Sequence, residues 1–430
     1  MIQTRLIDGL VWLNRRSFIW AVRQTLIAIF PLALVGSLAC LVEKSLLNVN
    51  GFFYNILIVG NWLPQAWQRP LQFAFTSIVQ VIFSLIGLVA CYFSAVNTAR
   101  WYRRDSSSAG LTAVITLLLI AYRYGKTPQM PLNFRIGLLG GKNLLFGLLI
   151  GYGVGQLYRW LETTQIGQGA RARSFASLRP LVVAIICGAI IAMVINSGTF
   201  YRVYARSYAN LVTASQGPQN VGISLLLSLG VALMDWLGLG MPTSYGVPLN
   251  TPAYAANLNY ALAHGSSWNV PYKFLGSTLY NSFANFGGDG LVLALIVAIL
   301  LFPGNTGTHR VARWSALPTI FNFDYGSLVG LPIILNPVFL LPFMLLPVIN
   351  MSLAAGMIAL HLLPSTPYPV LLGTPGPLLG FIATNGNWST LLFTIVLLLI
   401  DILAYIPFVR LSFLIEAKST LKIGEGDHHA

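Results

Sequence analysis

Apolar positions along this chain gather into long runs separated by short polar segments. In the first half the runs cover residues 26–42, 72–98, 109–122, 136–157 and 178–199. Each is near the length a helix needs to cross a hydrocarbon core, so the pattern predicts five spanning helices. The second half is patterned differently. A run over 220–239 ends in Asp235 and Trp236, and residues 241–288 then never become apolar enough to cross. A span over 290–302 follows, then a polar link with Arg310 and Arg313, a broken run from 319 to 363, a Gly/Pro-rich segment over 374–380 and a last span over 391–409. The expected total is about ten crossings.

Residues 319–350, TIFNFDYGSLVGLPIILNPVFLLPFMLLPVIN, hold Pro332, Pro337, Pro342 and Pro347 at five-residue intervals behind a polar opening of Asn322, Asp324 and Tyr325. Prolines free backbone carbonyls, and lipid tolerates that only where protein or a watery cavity receives them. Two readings stay open: a broken helix building a site for a polar solute, or a Pro-kinked helix with a loop ahead of it.

Residues 241–288 carry Tyr245, Asn250, Tyr254, Asn257, Asn259, Tyr260, Trp268, Asn269, Tyr272, Tyr280 and Asn281. They form either an exposed loop or a hairpin that dips into the membrane. Rings beside amides suit a sugar, whose C–H faces stack while its hydroxyls need donors and acceptors. The same composition suits an interfacial belt.

Composition narrows the class. Of 430 residues, 56% are hydrophobic and 8% charged, with mean hydropathy +0.72, too much apolar surface for a soluble domain to cover. The net charge of +14 would suggest nucleic acid in a soluble chain. Here the basic residues sit between apolar runs and read as orientation signals, with no nucleic-acid partner. Arg15, Arg16 and Arg23 precede the first span; Arg100, Arg103 and Arg104 follow the second; Arg159, Arg171, Arg173 and Arg179 follow the fourth; Arg410, Lys418 and Lys422 follow the last. This places both termini in the cytoplasm, with Arg123, Lys126 and Arg135 as an exception. Arg15 and Arg16 superficially resemble a twin-arginine signal, but the run behind them is too long and lacks a cleavage site. Lys142 either snorkels or lines a polar interface. The small residues of GYGVG, 151–155, suit close helix packing. Cys40, Cys91 and Cys187 lie in apolar runs without ligand spacing and read as packing residues. His264, His309 and His361 read as loop or helix-end residues, and His428 with His429 as a disordered end. No catalytic constellation, metal cluster or phosphate-binding glycine loop is present, and no cofactor is expected. Asp235, Asp289, Asp324 and Asp401 are the informative acids, because a carboxylate at membrane depth is costly.

Several segments carry a resemblance. FNFDYGSLVGLPIILNP (321–337) resembles FNINEPIIFGLPIVLNP in enzyme IIC, the membrane component of the sugar phosphotransferase system, in its lactose, cellobiose and diacetylchitobiose family. TPGPLLGFIAT (374–384), DILAYIPF (401–408) and FANFGGDGLVLAL (283–295) are similar to that family's TPPILSGFLAT, LDTLIYYPF and FVNIGGSGATLGL, and PLALVGSL (31–38) matches in general character. The resemblance implies an all-α polytopic membrane protein with re-entrant hairpins in its second half. It further implies a dimerisation scaffold over 1–205, a sugar-binding transport region over 206–418 and a cytoplasmic tail over 419–430. The sugar site it implies comprises Gly240, Asn285, Gly287, Gly288, Asp289, Asn322, Asp324, Tyr325, Asn336, Thr374 and Pro375. Two departures stand out: Tyr325 and Gly326 replace the family's Glu-Pro, and Gly240 replaces its His. These are the side chains the resemblance would assign to the hydroxyl being phosphorylated.

The expected function is that of a bacterial inner-membrane permease for a disaccharide or small oligosaccharide. Its implied partners are the sugar, a cytoplasmic IIB subunit, membrane lipid and a second copy of itself. A sugar sensor without phosphorylation is one alternative. An ion-coupled transporter using Asp324 or Asp235 is another.

Overall fold

The computed structural model describes residues 2–123, 133–162, 175–196, 206, 221–240 and 251–426. Lys126, Arg171, Arg173, Tyr245, Asn250, His428 and His429 therefore lie outside the described residues. The described residues are mostly helical, with a two-residue antiparallel pair that sets Tyr122 opposite Phe134 and Arg123 opposite Asn133. Among the described residues five helices are long and apolar enough to cross a membrane, with shorter apolar helices at Ser106–Ala121, Val221–Trp236 and Asp289–Leu301. Large apolar side chains such as Ile186, Met193, Leu392 and Leu403 face outward, while Ser94, Thr112, Asn350 and Asp401 are buried. Apolar outside and paired polar groups inside is the arrangement lipid selects.

The chain divides into two compact units. The first unit comprises Met1–Ala33, Gln80–Tyr208 and Leu237–Gly240. It contains α1 (Ile2–Asn14), the start of α2 (Ser17–Leu41), and most of α5 (Gln65–Trp101), which follows the short α3 (Phe52–Ile56) and α4 (Val59–Trp62). Behind these come α6 (Ser106–Ala121), α7 (Ile136–Leu139), α8 (Leu144–Leu161) and α9 (Leu178–Asn196). Its core is built from small residues, Cys91, Ala95, Ala99, Ala109 and Ala113, closed by Leu117, Val154 and Tyr158. Gly147, Gly151 and Gly155 recur every fourth residue on α8 and lie on Gly87, Cys91 and Thr98 of α5, where a methyl group would collide. Removing side chains lets two helix backbones approach. Inside this contact Ser94 donates to the Leu148 carbonyl at 2.8 Å, and on the side facing α6 the Thr112 and Tyr158 hydroxyls meet at 2.8 Å. Asp105 caps α6 by accepting from the Ser107 and Ser108 amides.

Two expectations are corrected here. The run over 136–157 is interrupted at Gly140, whose extended backbone separates α7 from α8. The interruption fits the packing, because a side chain on Gly87 would sit 2.6 Å from the Leu139 carbonyl. Of the cysteines, Cys91 is buried as expected of a packing residue, but Cys187 is exposed on α9.

The second unit comprises Leu34–Val79, Ala209–Trp236 and Met241–Ala430, so residues 34–79 cluster with the second half of the chain. Its later helices are α10 (Val221–Trp236), α11 (Pro252–His264), α12 (Gly276–Phe283), α13 (Val292–Leu301), α14 (Thr306–Ile320), α15 (Tyr325–Gly330), α16 (Pro337–Ala359), α17 (Gly376–Ala383) and α18 (Trp388–Gly426). The four prolines of 319–350 do not act alike. Pro337 opens α16 behind its Asn336 cap, while Pro342 and Pro347 lie inside that helix without ending it. The helical path breaks twice, over 321–324 ahead of Tyr325 and over 331–336 around Pro332. Neighbouring helices hold α16 together across the missing amide bonds. At its centre the Asn350 amide donates to Asp401 of α18 at 2.8 Å. Within 251–288, Asn257 both donates to and accepts from the Tyr272 backbone at 2.8 Å, so this amide is spent on the fold. α18 runs on to Gly426 and absorbs most of the expected tail over 419–430.

Candidate functional site

Three backbone segments of the second unit meet where side chains are missing. After α12 the chain passes through Asn285 and Phe286 into Gly287, Gly288 and Gly290, with φ of 77°, 94° and 70°. Glycine alone adopts these angles without penalty. The same glycines make room: a methyl at Gly288 would overlap the Asp324 carboxyl, and one at Gly290 would strike the Phe343 ring. Gly376 at the start of α17 lies against the Phe286 backbone, 2.9 Å from where its own Cβ would be.

Asn322 ties the segments together. It sits at φ 66°, a left-handed conformation that asparagine tolerates better than most residues. Its Oδ1 accepts from the Gly287 amide at 2.7 Å, and its Nδ2 donates to the Thr374 carbonyl at 2.8 Å. One side chain thereby fastens the turn after α12 to the turn before α17.

Acidic groups gather beside this clasp. The Tyr280 hydroxyl donates to Asp289 Oδ1 at 2.6 Å, and the Asp235 side chain hydrogen-bonds to Asp289. The Asp289 backbone amide donates to the Asp324 carboxyl. Asp324 Oδ2 and Asn285 Oδ1 are sealed from solvent and have no hydrogen-bond partner among the described residues. Sealed acceptors without donors are costly. No cluster of metal-ligating side chains occurs among the described residues.

Other expected site residues serve the scaffold or stand elsewhere. The Thr374 hydroxyl donates to the Leu371 carbonyl at 2.8 Å and the residue is fully buried, so Thr374 meets the clasp through its backbone. Pro375 caps α17. Asn336 is occupied in capping α16, accepting from the Val338 amide at 3.1 Å and donating to Pro332 at 3.2 Å; its carbonyl accepts from Trp236. Tyr325 opens α15. Gly326, where the family has Pro, donates its amide to Ser37 at 3.0 Å, a bond Pro lacks the hydrogen to make. Gly240 belongs to the first unit, against Lys142, whose Cα lies 3.3 Å from the place of a Gly240 Cβ.

Two members of the acidic group, Asp235 and Tyr280, fall outside the expected site list. An acid closing an apolar run and a Tyr in a polar hairpin are visible in the sequence. Their meeting across 45 positions depends on how α10 and α12 pack, which no local pattern encodes.

Residues 23–347 match the family described as Phosphotransferase system, EIIC. The lichenan permease IIC component of Bacillus subtilis (strain 168) is 24% identical over 417 residues, covering 91% of this chain and 88% of that protein. The cellobiose-specific EIIC component of Lactococcus lactis subsp. lactis (strain IL1403) is 36% identical over 130 residues, 30% of this chain and 26% of that protein. The crystal structure of ChbC, the IIC component from the N,N'-diacetylchitobiose-specific phosphotransferase system, aligns over 97% of each chain with 20% identity and a TM-score of 0.43. With the family matched across most of its length, this all-α membrane chain belongs to the phosphotransferase system EIIC family.

Proposed function

We propose that the chain is the IIC permease of a bacterial sugar phosphotransferase system, taking a disaccharide or small oligosaccharide through the inner membrane with a cytoplasmic IIB subunit. The observation that carries this reading is the clasped turn, where Asp324 Oδ2 and Asn285 Oδ1 stand sealed and unpartnered beside Asn322. The names of the relatives, a lichenan permease and a cellobiose-specific component, favour a cellobiose-like ligand. Sugar hydroxyls donate to the two oxygens and to Asp289, while Asn322, Thr374 and the glycines keep the walls in place. Calorimetry with cellobiose on the purified full-length chain tests the reading. Saturable binding that Asn285→Leu weakens supports it, and no heat with any neutral disaccharide defeats it.

The chemistry at the hydroxyl is a separate matter. Attack on a phosphocysteine needs a group that takes the proton. Neither Gly240 nor Tyr325 supplies a ready base, since a phenol is mostly protonated at neutral pH. Unless Asp324 turns into the place of the family's Glu, coupled phosphorylation is slow, and the substitutions at 240 and 325 then favour the second reading, a sugar sensor derived from a permease. Vesicles supplied with phosphoenolpyruvate and the general phosphotransferase proteins separate the two: rapid release of sugar phosphate restores the ordinary permease.

Our reading also includes about ten crossings, cytoplasmic termini and a homodimer joined through the scaffold of residues 1–205, with transport carried by 206–418. The basic residues between apolar runs support the orientation. Cysteine accessibility and inter-subunit cross-linking test these points. Uniform outside labelling of 241–288, or cross-links only from the second half, would reverse them.

A further inference from the structure

A cavity of about 300 Å³ lies apart from the clasped turn, lined by residues of the loop after α11, by Tyr368 and by the link between α17 and α18. Its walls include Ser267, Trp268, Tyr368, Thr384, Asn385 and Asn387, and none of its lining residues is charged. α17 separates it from the clasp. Thr374 and Pro375 precede that helix and Thr384 follows it, so its eight residues set the two places roughly 12 Å apart.

The walls are built from helix ends and are mutually tied. Gly265 ends α11 in a left-handed conformation at φ 61°, and Asn385 and Gly386 follow α17 at φ 58° and 85°. Asn387 caps α18 by accepting from the Thr390 amide at 3.0 Å. The Ser365 amide donates to the Ser267 carbonyl, and the Tyr368 amide to the Ala383 carbonyl, both at 3.2 Å. The Tyr368 hydroxyl reaches the Ala261 carbonyl at 3.4 Å. Polar atoms nonetheless remain uncommitted. The Asn385 side chain, Asn387 Nδ2 and the Ser267 hydroxyl make no hydrogen bond to protein among the described residues, and the Trp268 side chain is partly exposed, at 37%.

From this we infer a second carbohydrate site: the pocket receives one ring of a neutral sugar at the far end of α17 from the clasp. The lining decides the class. A phosphate or carboxylate would call for a cationic group, and an amine for an anionic one, and the pocket has neither. A pyranose offers C–H faces to an indole or phenol ring and hydroxyls to amide groups. The volume is at the lower end for small-molecule sites, which suits one ring rather than an oligosaccharide. The inference rests on the sugar reading for the choice of ligand, while the site itself is new.

The experiment uses the full chain in lipid nanodiscs with 15N-labelled indoles, the Trp268 resonance being assigned from Trp268→Phe. Cellobiose is the probe and sorbitol the acyclic control, with calorimetry run on the same samples. The expected result is a saturable shift of the Trp268 resonance with cellobiose. That shift persists in Asn285→Leu, which impairs the clasped turn alone. Asn385→Gly, which keeps a backbone suited to positive φ, should weaken it about two- to tenfold, the worth of one hydrogen-bonding group. Binding heat with a static Trp268 resonance would overturn the second site while leaving the first. An equal shift with sorbitol would overturn it as a general polyol effect. No binding by either measure would overturn both readings together.

Discussion

Replacing Asn322 tests whether the candidate site is held by one side chain. Asn322→Ala leaves the Gly287 amide and the Thr374 carbonyl without their partner at buried positions. Each orphaned group costs about 1–3 kcal/mol, so the pair costs about 2–6 kcal/mol. Ala at φ 66° adds about 1 kcal/mol of backbone strain. Asn322→Gly loses the same bonds but relieves the strain, so it should recover about 1 kcal/mol relative to Ala. Against a folding free energy of about 5–15 kcal/mol, either loss is large. Thermal unfolding of the detergent-solubilised chain reads the stability, and calorimetry with cellobiose reads affinity, expected to fall about ten- to hundredfold as the two turns lose register. Unchanged unfolding and unchanged affinity in Asn322→Ala would refute the clasp. Loss of affinity with no loss of stability would mean that Asn322 meets the sugar directly and leaves its backbone partners to do so.

Other outcomes follow from the same structure. With Asp324 held where it is and unable to replace the missing Glu, wild-type phosphorylation in vesicles with cognate IIB should run roughly two to four orders of magnitude below that of a relative retaining the His and Glu. Gly240→His with Tyr325→Glu should restore part of it, provided Lys142 yields a few tenths of an ångström; no gain in a stably folded double variant would place the deficit elsewhere. Asn350→Leu removes the donor to Asp401 inside the second unit and should cost about 1–3 kcal/mol, while Asn350→Leu with Asp401→Leu should recover most of that, because an apolar pair replaces a buried polar one; additive losses in thermal unfolding would contradict this. Burial pushes the Glu162 carboxyl above the ordinary glutamate value of 4.5, with the Asp105 amide pulling the other way. A raised folded-state value means that Glu162 supports the fold in acid and that this support is lost as pH rises through that value. Glu162→Gln should therefore match wild type below pH 4.5 and exceed it at neutral pH in a stability-against-pH series, and a constant difference across pH would count against it.

Much of the helical frame was legible because lipid forces apolar residues into contiguous runs. The runs over 72–98, 109–122 and 178–199 correspond to α5, α6 and α9. Breaks were harder to place, since proline is only half of the physics. Pro342 and Pro347 are carried inside α16 by the helices around it, while Gly140, between α7 and α8, interrupts a run with no proline nearby. At the candidate site, the glycine pair 287–288 was singled out by resemblance alone, and Asn322 and Asp324 stood out as polar residues before a broken run. What could not be read was how Asn322 spends its amide, because Gly287 lies 35 positions away and Thr374 lies 52 away. Asn336 and Thr374, which the resemblance placed in the site, bond to nearby backbone groups: the sequence shows a donor or acceptor without showing whether a neighbouring backbone group already occupies it.

The Asn322 clasp also bears on how such a protein diversifies. Its two bonds end on the Gly287 amide and the Thr374 carbonyl, atoms that every residue except proline carries in the first case and every residue carries in the second. Side chains nearby can drift without unfastening the frame, so long as the glycines that admit Asp324 and Phe343 remain. A lineage can thus exchange one saccharide for another, or abandon phosphate transfer altogether, by altering neighbours such as Asn285, Asp289 and Tyr325 while inheriting the same fastening.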